Sequence, residues 1–294
     1  MIWSLLALTG AVAQAAYSTS VKVLLPKVSQ YFIAGSSFLV ASCVLCALSS
    51  LAGVPELSSG FLPAVAVTVA INILATILSY RALSTSDLSL CLPMLAFTPV
   101  FLLLTSFLIL GEVPALAGIL GIFLVAMGSF LLASGESPTS FLAPLVTLSR
   151  NSGVRMMLIV AFLYSISVNY DKVVVETAGP IFGSTVVYGL LAASFLALTA
   201  AGWVRGNVMP VPEGVSNRSM IILIAIGLVL AVEAISVNLA YTLSIVPYVI
   251  SIKRLSIFFA VLFGGFLLRE GSLRPRALGS LVMVAGTVLI ALWG

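Results

Sequence analysis

Lys253 and Arg254 stand side by side inside an apolar stretch, IVPYVISIKRLSIFFAVLFGGFLLRE from Ile245 to Glu270, long enough to cross a bilayer. A cation at membrane depth costs about 2.5 kcal/mol or more, so each must face a partner, a water-filled cavity or a substrate. The chemistry such a pair offers is anion binding through charge-assisted hydrogen bonds. Glu233 lies in the preceding apolar run. A carboxylate there can pair with one of the two cations. If its partner moved away, it could instead carry a proton alternately with substrate. Asn238 in the same run as Glu233, and Asn72, Asn169, Gln14 and Tyr164 in other apolar runs, are the neutral polar groups at comparable positions. Each is either an interhelical hydrogen bond or part of a cavity wall. The same alternative holds for the charges: a structural ion pair, or a substrate and coupling site.

The elements that must position these residues are helices in a bilayer. The chain has 294 residues, 61% hydrophobic and only 7% charged. A soluble domain carries about 25% charged residues, so a soluble fold is excluded. The net charge of +4 is small and scattered, which gives no footprint for nucleic acid. The N-terminus MIWSLLALTG has no basic leader and reads as the first spanning helix. Apolar runs punctuated by Gly, Pro, Ser and charges predict ten spans: 2–24, 29–52, 61–84, 88–110, 114–133, 154–175, 180–204, 219–243, 246–268 and 275–293. A very short turn near Ser244–Val246 joins spans eight and nine. Counted from it, Glu233 lies roughly 18 Å deep and Lys253 roughly 12 Å, a gap that a long side chain can bridge. Consecutive helical residues point about 100° apart, so Lys253 and Arg254 cannot face one spot.

The longest polar break, 134–153, divides the chain into residues 1–133 and 154–294. The halves match each other. At a shift of 158, Glu112 falls on Glu270, Gly121 on Gly279 and Gly128 on Gly286; at 150, Lys22 falls on Lys172; at 161, Asn72 falls on Glu233. A repeat of five spans turns its second copy over. The predicted fold class is therefore an all-α integral membrane protein of ten transmembrane helices in two inverted five-helix repeats. That is a transporter architecture, with its site near the midplane between the copies.

The stretch YRALSTSDLSLCLPMLAFTPVFLLLTSFLILGE, followed by a Gly-spaced helix, resembles the EamA-type half of the drug/metabolite transporter superfamily, as does LYSISVNYDKVVVE in span six. The resemblance covers nearly the whole chain. It implies two inverted EamA-like halves around a central cavity, lined by spans one, three, four, six, eight and nine. ISIKRLSIFFAVLF is in addition similar to the ninth span of triose-phosphate translocators, where a Lys–Arg pair holds phosphate. The matching Lys of that family's fourth span is Leu95 here, and Thr98-Pro99 replaces its Glu-Pro. Half of the phosphate clamp is missing, which favours a singly charged group such as a carboxylate.

Other residues carry blander readings. Cys43, Cys46 and Cys91 read as buried reduced thiols, and no metal or cofactor is expected. Glu112 and Glu270 read as acidic groups for the N-terminus of the next helix. Pro93, Pro99 and Pro247 read as helix breaks, static or serving as bending points. Gly121, Gly128, Gly279 and Gly286 read as close-packing positions, with dimerisation an option, so a monomer or a homodimer is expected. Tyr80, Tyr170 and Tyr241 read as interfacial aromatics. No phosphate-binding Gly-rich loop and no His occur, so ATP-driven transport and the usual acid–base sets are not expected. Ten of the thirteen Lys and Arg flank the spans on the side away from the termini, Lys172 lies on the other side, and the remaining two are Lys253 and Arg254. The positive-inside rule then places both termini outside, whereas the family resemblance implies both inside. The expected function is secondary active transport of a small polar metabolite, an amino acid, organic acid or similar, across the cell membrane. The alternatives are a membrane-embedded enzyme or lipid-handling protein, or a carrier of organic cations.

Overall fold

A computed structural model describes residues 1–24, 28–53, 55–85, 92–134, 151–204, 217–268 and 277–294. Glu270 and Cys91 lie outside the described residues, as do most of the 134–153 break and the flanking Lys27, Arg150, Arg205, Arg269, Arg274 and Arg276. The side chains of Lys22 and Tyr80 are likewise outside them.

Among the described residues the chain is helical throughout, without strands. The first half contains α1 (Ile2–Leu24), α2 (Gln30–Ala52), α3 (Phe61–Thr85), a 3-10 turn (Leu92–Phe97), α4 (Thr98–Leu110) and α5 (Leu116–Ser134). The second contains α6 (Ser152–Ala178), α7 (Pro180–Val204), α8 (Asn217–Tyr241), α9 (Val246–Lys253), α10 (Ser256–Leu268) and α11 (Ala277–Trp293). Five of these, α2, α3, α6, α7 and α8, contain stretches long and apolar enough to cross a membrane, and three shorter apolar helices accompany them. Large apolar side chains such as Leu62, Leu108, Leu116 and Leu281 are more than half exposed, an outer surface suited to lipid rather than water.

Local chemistry sets the helix ends. Asn151 caps α6, its Oδ1 accepting from the N–H groups of Gly153 at 2.9 Å and Val154 at 3.2 Å. Gly179, at φ 75°, closes α6 with its N–H on Val175 O at 2.8 Å. Pro180 then opens α7, where a missing N–H costs nothing. Pro99 and Pro247 sit in the first turns of α4 and α9 and so start helices rather than kinking them. The break in span nine lies further on, at Lys253 and Arg254. There the Arg254 N–H reaches both Ile250 O at 3.1 Å and Ser251 O at 3.2 Å, and Leu255 N–H bonds Ile252 O at 2.9 Å. The tightened i,i+3 bonds separate α9 from α10.

The repeat spacing recurs in the helices. α4 and α10 begin 158 residues apart, while α1 and α6, and α2 and α7, begin 150 apart. The strongest packing runs between the halves: α5 on α11, α2 on α7, α3 on α6 and α1 on α8. Exchanging each first-half helix for its counterpart carries the α1–α8 pair onto α6–α3 and returns the other two pairs to themselves. The halves are therefore interlocked.

The glycines are spent inside the chain. A Cβ at Gly128 would lie 2.6 Å from Met283 N and 2.7 Å from Gly279 O, and one at Gly286 would lie 2.7 Å from Gly121 O. These four glycines bring the α5 and α11 backbones into contact within one chain, so they are not free to form a dimer seam. Cys43 and Cys46 are exposed on the outer face of α2, contrary to the buried thiols predicted. An apolar run does not distinguish a lipid-facing side from a packed one. Tyr241, predicted at the interface, is 3% exposed and lies in the core. Gly128→Leu and Gly286→Leu should each lower the melting temperature in detergent by several degrees, since overpacking costs about 1–3 kcal/mol or more. Gly60→Ala, whose Cβ would meet only Thr177 Cγ2 at 3.6 Å, should leave it unchanged.

Candidate functional site

The break between α9 and α10 lets the two cations diverge. Lys253 Nζ lies 2.6 Å from Glu233 Oε1, and the two side chains are 25% and 7% exposed. The short turn after α8 makes this possible by laying α9 back along α8 and α1. With its amide nitrogen turned to the carboxylate, Gln14 of α1 donates to Glu233 Oε1 at 2.7 Å and Oε2 at 3.0 Å. Glu233 therefore holds an ammonium and a carboxamide, enough compensation for a buried carboxylate. Three sequence candidates, Gln14, Glu233 and Lys253, form one cluster.

Arg254 takes no part in this cluster; it interacts through space with Tyr164 of α6, which faces Thr76 and Ser79 of α3. Its Nε is buried without a hydrogen-bond partner, and no carboxylate pairs with it among the described residues. Guanidinium carries five donors and no acceptor, so its chemistry suits a carboxylate or phosphate oxygen.

The α3–α6 seam carries a polar ladder. Asn72 Nδ2 donates to Thr68 O at 2.9 Å and to Ser167 Oγ at 2.6 Å. Ser167 Oγ lies 2.8 Å from Thr68 Oγ1, which donates to Asp171 Oδ1 at 2.5 Å. Asp171 feels Lys253 through space, and Tyr188 of α7 and Tyr241 of α8 both feel Asp171 and Glu233. Asp171 was missed in the sequence, as were Thr68, Ser167 and Tyr188. The signal was present as spacing: Thr68, Asn72 and Thr76 recur every four residues, and Tyr164, Ser167 and Asp171 recur at three and four. Each set makes a single polar stripe on its helix.

Asn169 and Asn238 lie in other contacts. Asn169 is fully buried and donates to Thr105 Oγ1 at 3.1 Å and Ser165 O at 2.7 Å, tying α6 to α4. Asn238 donates to Ser184 Oγ at 2.6 Å on the first turns of α7. Both are helix-to-helix bonds.

A second ionic cluster closes one end of the bundle. Lys172 Nζ lies 2.6 Å from Glu112 Oε1 and donates to Ser244 O at 3.2 Å. Glu112 Oε2 accepts from Ser106 Oγ at 2.5 Å and from Val246 N–H at 2.9 Å. Glu112 thus caps α9, distant in sequence, and not the helix that follows it. Lys172 is a buried partner rather than a cation of a flanking loop.

Residues 1–134 match the EamA-like transporter family. No curated protein matches the chain. One solved structure, described only as the crystal structure of a protein, superposes with a TM-score of 0.78 over 99% of this chain and 97% of its own, at 14% identity. At that identity the likeness concerns the fold, and it spans both halves. The first 134 residues are thus similar to the EamA-like transporter family, and the helical fold is similar from end to end to that of a solved protein.

Breaking a buried ion pair costs about 3–5 kcal/mol because the surviving charge stays buried. Lys172→Met should therefore destabilise the protein by that amount in denaturant unfolding. Adding Glu112→Gln to Lys172→Met should recover part of the loss.

Proposed function

We propose that this chain is a secondary active transporter of a small polar metabolite, working by alternating access across the cell membrane between two inverted five-helix halves, 1–133 and 154–294. One observation carries the substrate site: the Nε of Arg254 is buried without a hydrogen-bond partner among the described residues, at a break in a membrane-depth helix. Discontinuous helices near the midplane are where transporters of inverted-repeat design place their substrates. The paired packing of α1 with α8 and α3 with α6 supports the repeat, and the family match of residues 1–134 supports transport.

In this reading Arg254 holds the anionic group, and Tyr164 and Asn72 line the adjoining seam. Lys253, Glu233 and Gln14 form a compensated cluster on the opposite wall. Asn169 and Asn238 keep the walls in register. A substrate with a single carboxylate or phosphate suits one free guanidinium. A second cation like that of triose-phosphate translocators has no counterpart here, since Leu95 packs into an apolar cluster beside Met94 and Phe130. The glycine contacts within the chain require no second copy, although a homodimer through another face is compatible with them.

Binding of acetate, lactate, inorganic phosphate, alanine and choline to the purified protein tests the site. A charge-assisted hydrogen bond contributes about 1.5–3 kcal/mol. Arg254→Ala should therefore weaken the best anion by about ten- to a hundredfold. Lys253→Ala should lower stability by exposing Glu233. Anion binding that Arg254→Ala leaves intact would make Arg254 structural, and absence of counterflow in proteoliposomes would rule out transport.

A further inference from the structure

Two carboxylates face the centre, and they are not equally supported. Glu233 receives the Lys253 ammonium at 2.6 Å and two hydrogen bonds from the Gln14 amide. Asp171 receives one hydrogen bond, from a neutral hydroxyl. Asn72 Nδ2 donates to Thr68 O and Ser167 Oγ and lies 3.2 Å from Thr68 Oγ1. Ser167 and Thr68 share a hydroxyl hydrogen bond, and Thr68 donates to Asp171 Oδ1. Among the described residues the ladder ends at Asp171 with that single bond. No cation contacts Asp171 among the described residues, because Lys253 is engaged by Glu233 and Lys172 by Glu112. A buried carboxylate usually needs an ion partner or two to three donors to stay ionised.

We propose that Asp171 is the proton-carrying carboxyl of this protein, and that its proton travels with the anion held by Arg254. The carrier role therefore falls to Asp171, and Glu233 serves as the fixed counter-ion of Lys253. The proton arrives from cavity water and forms an O–H bond on Oδ2, while Oδ1 keeps the Thr68 bond. On release it returns to water. The groups facing Asp171 are Lys253 from α9, Tyr188 from α7, Tyr241 and Glu233 from α8, and Thr68 from α3. On its own helix, Lys172 pairs with Glu112 and Tyr164 lies beside Arg254. Charge balance links the two events. With Asp171 ionised, the centre holds Glu233 and Asp171 against Lys253 and Arg254, and is neutral. With Asp171 protonated, one positive charge is left over and awaits an anion. Anion binding then raises proton occupancy, and the proton raises anion affinity by the same factor.

The coupling rests on the transport reading above, but the proton site can be tested without substrate. Infrared difference spectra of the full chain in lipid, recorded between pH 5 and pH 9, should show a protonated carboxyl band in wild type. That band should vanish in Asp171→Asn and persist in Glu233→Gln. In Thr68→Val it should persist but move to higher wavenumber as the carbonyl loses its hydrogen bond, a signature that does not require replacing Asp171. Lactate added to wild type in weak buffer should take up protons, and Asp171→Asn should bind lactate without uptake. A band that follows Glu233, no titrating band in wild type, or an unmoved band in Thr68→Val would overturn the assignment. Choline binding that depends on Asp171 would also overturn it, since the carboxylate would then be a cation site. Loss of Arg254-dependent anion binding, with the band still following Asp171, would remove the transport reading and leave the proton site standing.

Discussion

The interaction on which the centre depends is the ion pair between Glu233 and Lys253. Neither group can be left alone where water is scarce, and their contact fixes α9 against α8 at a 2.6 Å bond. Once Lys253 is committed, the neighbouring backbone decides the rest. The helix loosens into i,i+3 bonds at Arg254, and the second cation leaves the side of the first. A continuous helix would have placed the guanidinium about 100° around the same cylinder. Beyond the break, Arg254 interacts through space with Tyr164 on the α3–α6 seam. One pair and one break separate two adjacent cations into one held by a carboxylate and one that no carboxylate pairs among the described residues.

The scaffold around this centre divides its labour by distance from it. α5 and α11 meet backbone to backbone through glycines. At one end, Glu112 gathers Lys172, Ser106 and the first N–H of α9 into a closed ionic knot. That knot joins the ends of α4 and α6 to the turn between α8 and α9, so the start of α9 is tied down within two turns of Arg254. In between lie hydrogen bonds of modest strength, Asn169 to Thr105 and Asn238 to Ser184, each able to re-form at low cost.

Because the halves interlock, neither can close its own core. α1 buries its face on α8, and α3 buries its face on α6. Among the described residues, the polar stripe of α3, with Thr68, Asn72 and Thr76, is answered by Tyr164, Ser167 and Asp171 of the other half.

The sequence by itself determined the medium, the helices and the candidate charges. A 7% charged chain has to satisfy its backbone internally, which makes helices of the apolar runs, and Gly, Pro and Asn mark where they end. The offsets of 158 and 150 residues were legible in Glu112, Gly128 and Lys22, and the helix starts keep them. That Lys253 and Arg254 could not share one target followed from helical geometry alone. Only the tertiary structure decided which cation is paired. That outcome depends on where Gln14, 219 positions before Glu233, brings its amide. The structure also showed that Asp171 meets Thr68 across the α3–α6 seam while its neighbour Lys172 pairs with Glu112. Tyr241 and the two cysteines were misplaced for a related reason. In a bilayer both faces of a helix are apolar, so composition cannot tell lipid from core, and only the neighbouring helix makes that distinction.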